Sequence, residues 1–274
     1  MSSPAPFAAS APGVAAYQAR DLSKVYSGTR ALQGVTLTVD RGETVALVGP
    51  SGAGKTTLLR LMAGMLPPSG GQIHVLGRPL GRLRPGKELT GLVGMMQQRL
   101  DLVPQLSVRN NVEAGLLGRW SLLRSLAGLV LPVEHPGARA AIERVGLGAK
   151  RHDRVARLSG GEQQRVALAR VLVQDPAVIL ADEPVASLDP ALAEDLLTLL
   201  TDIAKESGRT VIASLHSPDL ARRHFARVVG LRDGAVAFDV SARDLTDSLL
   251  ESVYRLPAGS NGRAAVPGAA TVSR

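Results

Sequence analysis

Nine consecutive residues, Gly49-Pro50-Ser51-Gly52-Ala53-Gly54-Lys55-Thr56-Thr57, constrain this chain more than any other stretch. The apolar run over 44–48 precedes them and reads as a buried strand. Leu58-Leu59-Arg60-Leu61-Met62 follows and reads as the start of a helix. A strand, a glycine-rich loop ending in Lys-Thr, and a helix form the setting in which consecutive backbone amides cradle phosphate oxygens. Glycine supplies the positive φ and the close approach. The helix N-terminus adds its partial positive charge behind the amides. In that setting Lys55 reaches the β- and γ-phosphates, the Thr56 hydroxyl takes a place on Mg²⁺, and Thr57 is a further phosphate contact.

The length of 274 residues allows one large domain or two subdomains. With 45% hydrophobic and 20% charged residues the chain is globular in composition. It has no cysteine, which removes disulfides and thiolate metal sites. The N-terminus has no basic segment followed by an apolar core, so it does not read as a secretory signal. The most apolar long stretch, 116–133, is broken by Arg119 and Arg124 and is not expected to span a bilayer. A net charge of +8 suits nucleic acid or an anionic membrane face, but an aromatic content of 3% leaves few platforms for stacking single strands.

Residues 1–16, rich in Ala, Pro and Ser, read as a disordered leader, and 257–274 as a loose tail. Between them short strands are predicted over 17–26, 31–39, 44–48, 72–76, 92–96, 178–181, 210–214, 227–232 and 235–239, the last two as a hairpin around Asp233-Gly234. Residues 107–149 carry a helical pattern with breaks at Leu131-Pro132 and 135–137, an insertion rather than more sheet. Ser159 is placed to cap a helix over 163–174. Asp189-Pro190 opens another, with an apolar stripe at Leu192, Leu196, Leu199, Leu200 and Ile203. A last short helix falls over 244–254. The acids Asp182 and Glu183 end a buried strand, the place where parallel sheets present groups to ligands.

The phosphate loop alone leaves GTPases, kinases, helicases and transport ATPases open. Later stretches narrow the choice. Leu158-Ser159-Gly160-Gly161-Glu162 resembles the signature of the ATP-binding cassette (ABC) family, and 178–183 resembles its Walker B strand with the catalytic glutamate attached. Ser187-Leu188-Asp189 is similar to its D-loop, Gln98 to its Q-loop glutamine, His216 to its switch histidine and Tyr26 to its adenine-stacking aromatic. These stand in the family's order across residues 17–240. The resemblance implies an α/β fold of the P-loop (RecA-like) kind: a mostly parallel sheet core, an antiparallel β subdomain, and a helical subdomain at about 98–170, all within an ATPase domain at 17–256. ATP and Mg²⁺ are the implied cofactors. Asp182 would hold Mg²⁺ with Thr56 and Gln98. Glu183 would polarise the attacking water, with His216 and Gln98 as its catalytic companions. His216 would bond a γ-phosphate oxygen and keep Glu183 and the water in line. Gln97 beside Gln98 leaves the glutamine open by one residue, and Gln98 better fits the family's spacing. Ser159, Gly160 and Gly161 would bind the γ-phosphate held by a second copy, so that two chains close head to tail on two ATP.

A narrower resemblance, to phosphonate-importer ATPases, rests on residues 115–126, 181–190, 219–223 and 229–234, and on the ending Leu245-Thr246-Asp247 through Tyr254. It implies a subunit at the cytoplasmic face of the membrane, with a second copy of itself, transmembrane permease subunits and, indirectly, an extracytoplasmic substrate-binding protein as partners. No nucleic-acid partner is expected. The patch from Trp120 to Leu131, rimmed by Arg119 and Arg124, suits a permease helix. Gln97 and Ser217-Pro218 depart from the pattern near the cleft where a permease would dock. The rival readings are the ATPase of another importer or an exporter, and a soluble ABC ATPase acting on nucleic acid. The latter usually carries a coiled-coil insertion, a second cassette or zinc-binding cysteines, none of which this sequence has.

Overall fold

The computed structural model describes residues 14–84, 86–119 and 135–255. The tail over 257–274, most of the leader, and the segment holding Trp120, Arg124 and the Leu131-Pro132 break lie outside these residues. The end of the leader is packed chain: Ala16 is fully buried, and its carbonyl accepts from the Leu76 amide at 2.9 Å.

In chain order the strands are β1 (Tyr17–Tyr26), β2 (Thr29–Val39), β3 (Thr44–Val48), β4 (Gly70–Val75), β5 (Arg78–Pro79), β6 (Val93–Met96), β7 (Val178–Asp182), β8 (Thr210–Ser214), β9 (Arg227–Arg232) and β10 (Ala235–Ser241). The helices are α1 (Lys55–Met62), α2 (Lys87–Thr90), α3 (Val108–Glu113), α4 (Pro136–Arg144), α5 (Gly160–Leu172), α6 (Pro190–Ser207), α7 (Pro218–His224) and α8 (Asp247–Tyr254). One sheet is antiparallel, ordered β2-β1-β4-β5. The other is ordered β10-β9-β3-β8-β7-β6, parallel throughout except for β10, which returns antiparallel to β9.

The parallel strands are buried on both faces, so they read as unbroken apolar runs. Their side chains still divide with a period of two. Val45, Leu47, Val178, Leu180, Ile212, Val229 and Leu231 join α1 and the antiparallel sheet in one core. Ala46, Val48, Ile179, Ala181, Val211, Ala213 and Val228 join α5, α6, α7 and α8 in the other. Each such Val or Leu contributes about 1.5–3 kcal/mol by burial.

A helical lobe of α3, α4 and α5 grows from the end of β6. It packs through Val108, Val112, Ala138, Ala141, Ile142, Val166 and Ala169. Ser107 caps α3, accepting from the Asn110 amide at 3.2 Å. Asn111 is buried and ties back the loop ahead of it, accepting from the Val103 amide at 2.8 Å and donating to the Val103 carbonyl at 3.0 Å.

Of the expected stripe on α6, Leu196, Leu200 and Ile203 are buried and Leu199 is partly buried against the core; the buried face also takes in Ala193, Leu197, Thr201 and Ala204. Leu192 is exposed and lies against Gly161 instead, where an added Cβ would meet it at 3.2 Å. Asp189 caps the helix, accepting from the Leu192 amide at 3.0 Å. Among the described residues no helix is long and apolar enough to cross a membrane.

Candidate active site

Four segments leave the carboxyl edge of the parallel sheet side by side: the glycine loop after β3, Gln98 after β6, Glu183 after β7 and His216 after β8. This is the edge at which open parallel sheets place their ligand groups.

Two glycines of the loop are demanded by space and backbone together. Gly49 has φ +149°, and a Cβ on it would lie 2.2 Å from the Leu231 carbonyl oxygen. Gly54 has φ +102°, and a Cβ there would lie 2.7 Å from the Ala31 carbonyl oxygen. Pro50 and Ala53 close a turn between them, the Ala53 amide donating to the Pro50 carbonyl at 3.2 Å. Ser51 and Gly52 are exposed at the crest. The β9–β10 turn braces the loop: the Gly234 amide donates to the Ala53 carbonyl at 3.2 Å, and Gln33 donates to Asp233 and Gly234 carbonyls.

Lys55 begins α1 and is buried. Its ammonium turns back onto the loop, donating to the Gly49 carbonyl at 2.6 Å and the Pro50 carbonyl at 3.0 Å. Burial draws its pKa below the usual lysine value, and the carboxylates of Glu183 and Asp182 oppose that shift. The next side chain, Thr56, donates to Asp182 Oδ1 at 3.0 Å. Thr57 is half-buried in the same turn.

The acids are gathered tightly. Asp182 is buried at the last position of β7, in register with Ser214 on β8. Ser214, fully buried, donates to Asp182 Oδ1 at 2.8 Å and accepts from the Glu183 amide at 2.9 Å. Glu183 has φ +50°, a conformation that disfavours side chains. Its two carboxylate oxygens are both engaged: His216 Nε2 lies 2.6 Å from Oε1, and Gln98 Nε2 donates to Oε2 at 2.8 Å. The residue that reaches Glu183 is therefore Gln98, not its neighbour Gln97. Arg170, from α5, donates to the carbonyls of Leu100 and Asp101 just beyond Gln98 and so fixes that loop from behind.

Ser214 and Arg170 went unmarked in the sequence. The sequence marks Ser214 only as the end of a strand, its one signal being a polar residue in an apolar run, opposite the acid on the neighbouring strand.

Ser159, Gly160 and Gly161 stand on the helical lobe at the start of α5. Ser159 and Glu162 form a reciprocal cap, with Glu162 also paired to Lys150 at 2.6 Å. Tyr26 ends β1, is 41% exposed, and has the Lys24 ammonium 5.2 Å from its ring centre. Ser217, unexpected as a cap, starts α7 by accepting from the Leu220 amide at 3.3 Å, with Pro218 at the first helical position.

The model of the ABC transporter family matches residues 32–186. The chain belongs to that family. Among curated relatives it is 49% identical over 91% of its own length to the phosphonates import ATP-binding protein PhnC of Anaeromyxobacter dehalogenans, and spans half the length of that protein. It is 46% identical over 83% of its length to PhnC 1 of Pseudomonas syringae pv. tomato, covering 87% of that relative. Among solved structures a dimeric ATP-binding cassette, in a post-hydrolysis state bound to ADP and Pi, matches with a TM-score of 0.71 and 29% identity. The match covers 84% of this chain and all of that one. The ABC fold is thus an α/β ATPase cassette, in which ATP binding and hydrolysis are coupled to transport and cassettes work as dimers.

Proposed function

We propose that this chain is the ATP-hydrolysing subunit of a membrane importer for phosphonates or closely related phosphorus oxyanions. The observation that carries the ATPase half is Glu183, its carboxylate held on both oxygens by Gln98 and His216 at the edge where the phosphate loop begins. In this reading Gly49 to Thr57 wrap the phosphates with backbone amides. Lys55 exchanges its two loop carbonyls for β- and γ-phosphate oxygens. Glu183 accepts the proton of the attacking water, while His216 and Gln98 fix its direction. Tyr26 stacks on the adenine.

The oxygen donors Thr56 Oγ1 and Asp182 Oδ1, 3.0 Å apart, suit a hard cation. They, with Gln98, would hold Mg²⁺, whose charge offsets that of the phosphates. Ser159, Gly160 and Gly161 complete the site of a second copy, since the capped start of α5 is an anion site on the helical lobe.

The domain reading follows the same logic: an ATPase domain at 17–256, extended at its start by the packed Ala16, with a helical subdomain at about 98–170. The phosphonate half rests on the relatives' names and on the narrower resemblance. The chain would sit at the cytoplasmic face against permease subunits and serve an extracytoplasmic binding protein through them. The test is reconstitution of the chain with its permease and binding protein in vesicles. Methylphosphonate or phosphite should raise the ATPase rate. Stimulation by an amino acid, a sugar or a metal chelate instead would overturn the substrate and leave the ATPase reading intact.

A further inference from the structure

The phosphate loop is anchored from the far end of the chain. The Tyr254 hydroxyl oxygen, in the last turn of α8, accepts from the Gly49 amide at 3.0 Å, across 205 positions of sequence. Gly49 is the first residue of the loop, and its carbonyl is the one that takes the Lys55 ammonium. The Leu231 carbonyl presses on its α-carbon from a third side, close enough to exclude any side chain. The helix that delivers the hydroxyl is itself fixed. Val253 is buried in the main core, Thr246 caps the first turn, and Arg232 of β9 donates to the Ser252 carbonyl at 2.5 Å.

We infer that Tyr254 is a positioning residue for nucleotide binding: its hydroxyl holds the Gly49 peptide in place when Lys55 leaves that peptide for the phosphates. This rests on the reading of Gly49 to Thr57 as the nucleotide site. Of the two side-chain groups bonded to Gly49, the ammonium moves when nucleotide arrives and the phenol does not. Without the phenol, Gly49 would lose both ties at the moment the loop must be rigid, and part of the binding energy would go into ordering it. Burial raises the Tyr254 pKa, and the Gly49 amide opposes this, so the phenol stays protonated in the neutral range. Glu183, Gln98 and His216 follow other strands. The effect should therefore fall on binding, not on the chemical step.

The experiment compares the full chain with Tyr254→Phe, which removes only the hydroxyl, and Val253→Ala, which loosens α8 but keeps it. ADP affinity is measured by calorimetry, and kcat and KM for ATP by steady-state assay. Tyr254→Phe should weaken ADP about tenfold and raise KM to match, with kcat within about twofold of the parent. Val253→Ala should lower the melting temperature and leave ADP affinity unchanged. ADP binding by Tyr254→Phe at parental strength overturns the inference. So does an equal loss in Val253→Ala, which would make the effect one of helix docking, or a fall in kcat alone. A parent chain that fails to bind ADP would instead overturn the nucleotide-site reading itself.

Discussion

Ser214 shows how much of the site depends on one hydroxyl. It donates a hydrogen bond to the Asp182 carboxylate and accepts one from the Glu183 amide, so one buried group sets both acids. It also offsets the cost of the left-handed backbone at Glu183, about 1–3 kcal/mol for such a residue. Ser214→Ala leaves the Glu183 amide without its partner, a penalty of about 1–3 kcal/mol. We expect kcat to fall about 10–100-fold, with KM for ATP within about threefold, because the phosphate loop is untouched. Steady-state kinetics on the two proteins checks this. The gathering of Lys55, Thr56, Asp182 and Glu183 is legible from sequence because each belongs to a local pattern. Ser214 and Tyr254 are not, because their partners lie 32 and 205 positions away and only the strand order and the docking of α8 bring them together.

At the scale of elements, the parallel strands were readable because burial on both faces leaves apolar runs with acids or glycines at their ends. The short pieces were not. The two-residue β5 and the single turn of α2 carry too few side chains for a period to show. Helix α7 had a local signal, Ser217-Pro218, whose capping value appears only once the chain is seen to turn there. Arg170 of α5 is half-buried and bonded to the carbonyls of Leu100 and Asp101, which ties the lobe to the loop after β6. Burial lowers its pKa and Asp101 opposes that shift; a guanidinium stays charged in proteins, so it acts as a fixed cation. Arg170→Met keeps the stem and removes those bonds. The loop bearing Gln98 should then lose its fixed position against Glu183, giving a kcat loss of about tenfold and unchanged ADP affinity. A parental kcat in this variant would mean that Gln98 is positioned by other contacts.

On the proposed reading the single chain is an incomplete machine. It would hold a phosphate loop and a base on the core, and an anion-binding helix start on the lobe, where Ser159 serves in its own cap. The solved relative with ADP and Pi is a dimer, and in the proposed reading nucleotide would likewise join two copies of this chain. The measurement that tests the account most directly is ATP turnover and ATP-dependent association of Glu183→Gln. This variant keeps the shape of the side chain and the bond to Gln98 while removing the base. ATP binding should stay at the parental level, turnover should fall about 10²–10⁴-fold, and the chain should accumulate as an ATP-bound dimer. Hydrolysis at the parental rate would contradict the account, since the carboxylate clamped between Gln98 and His216 would then not be the group that acts on water.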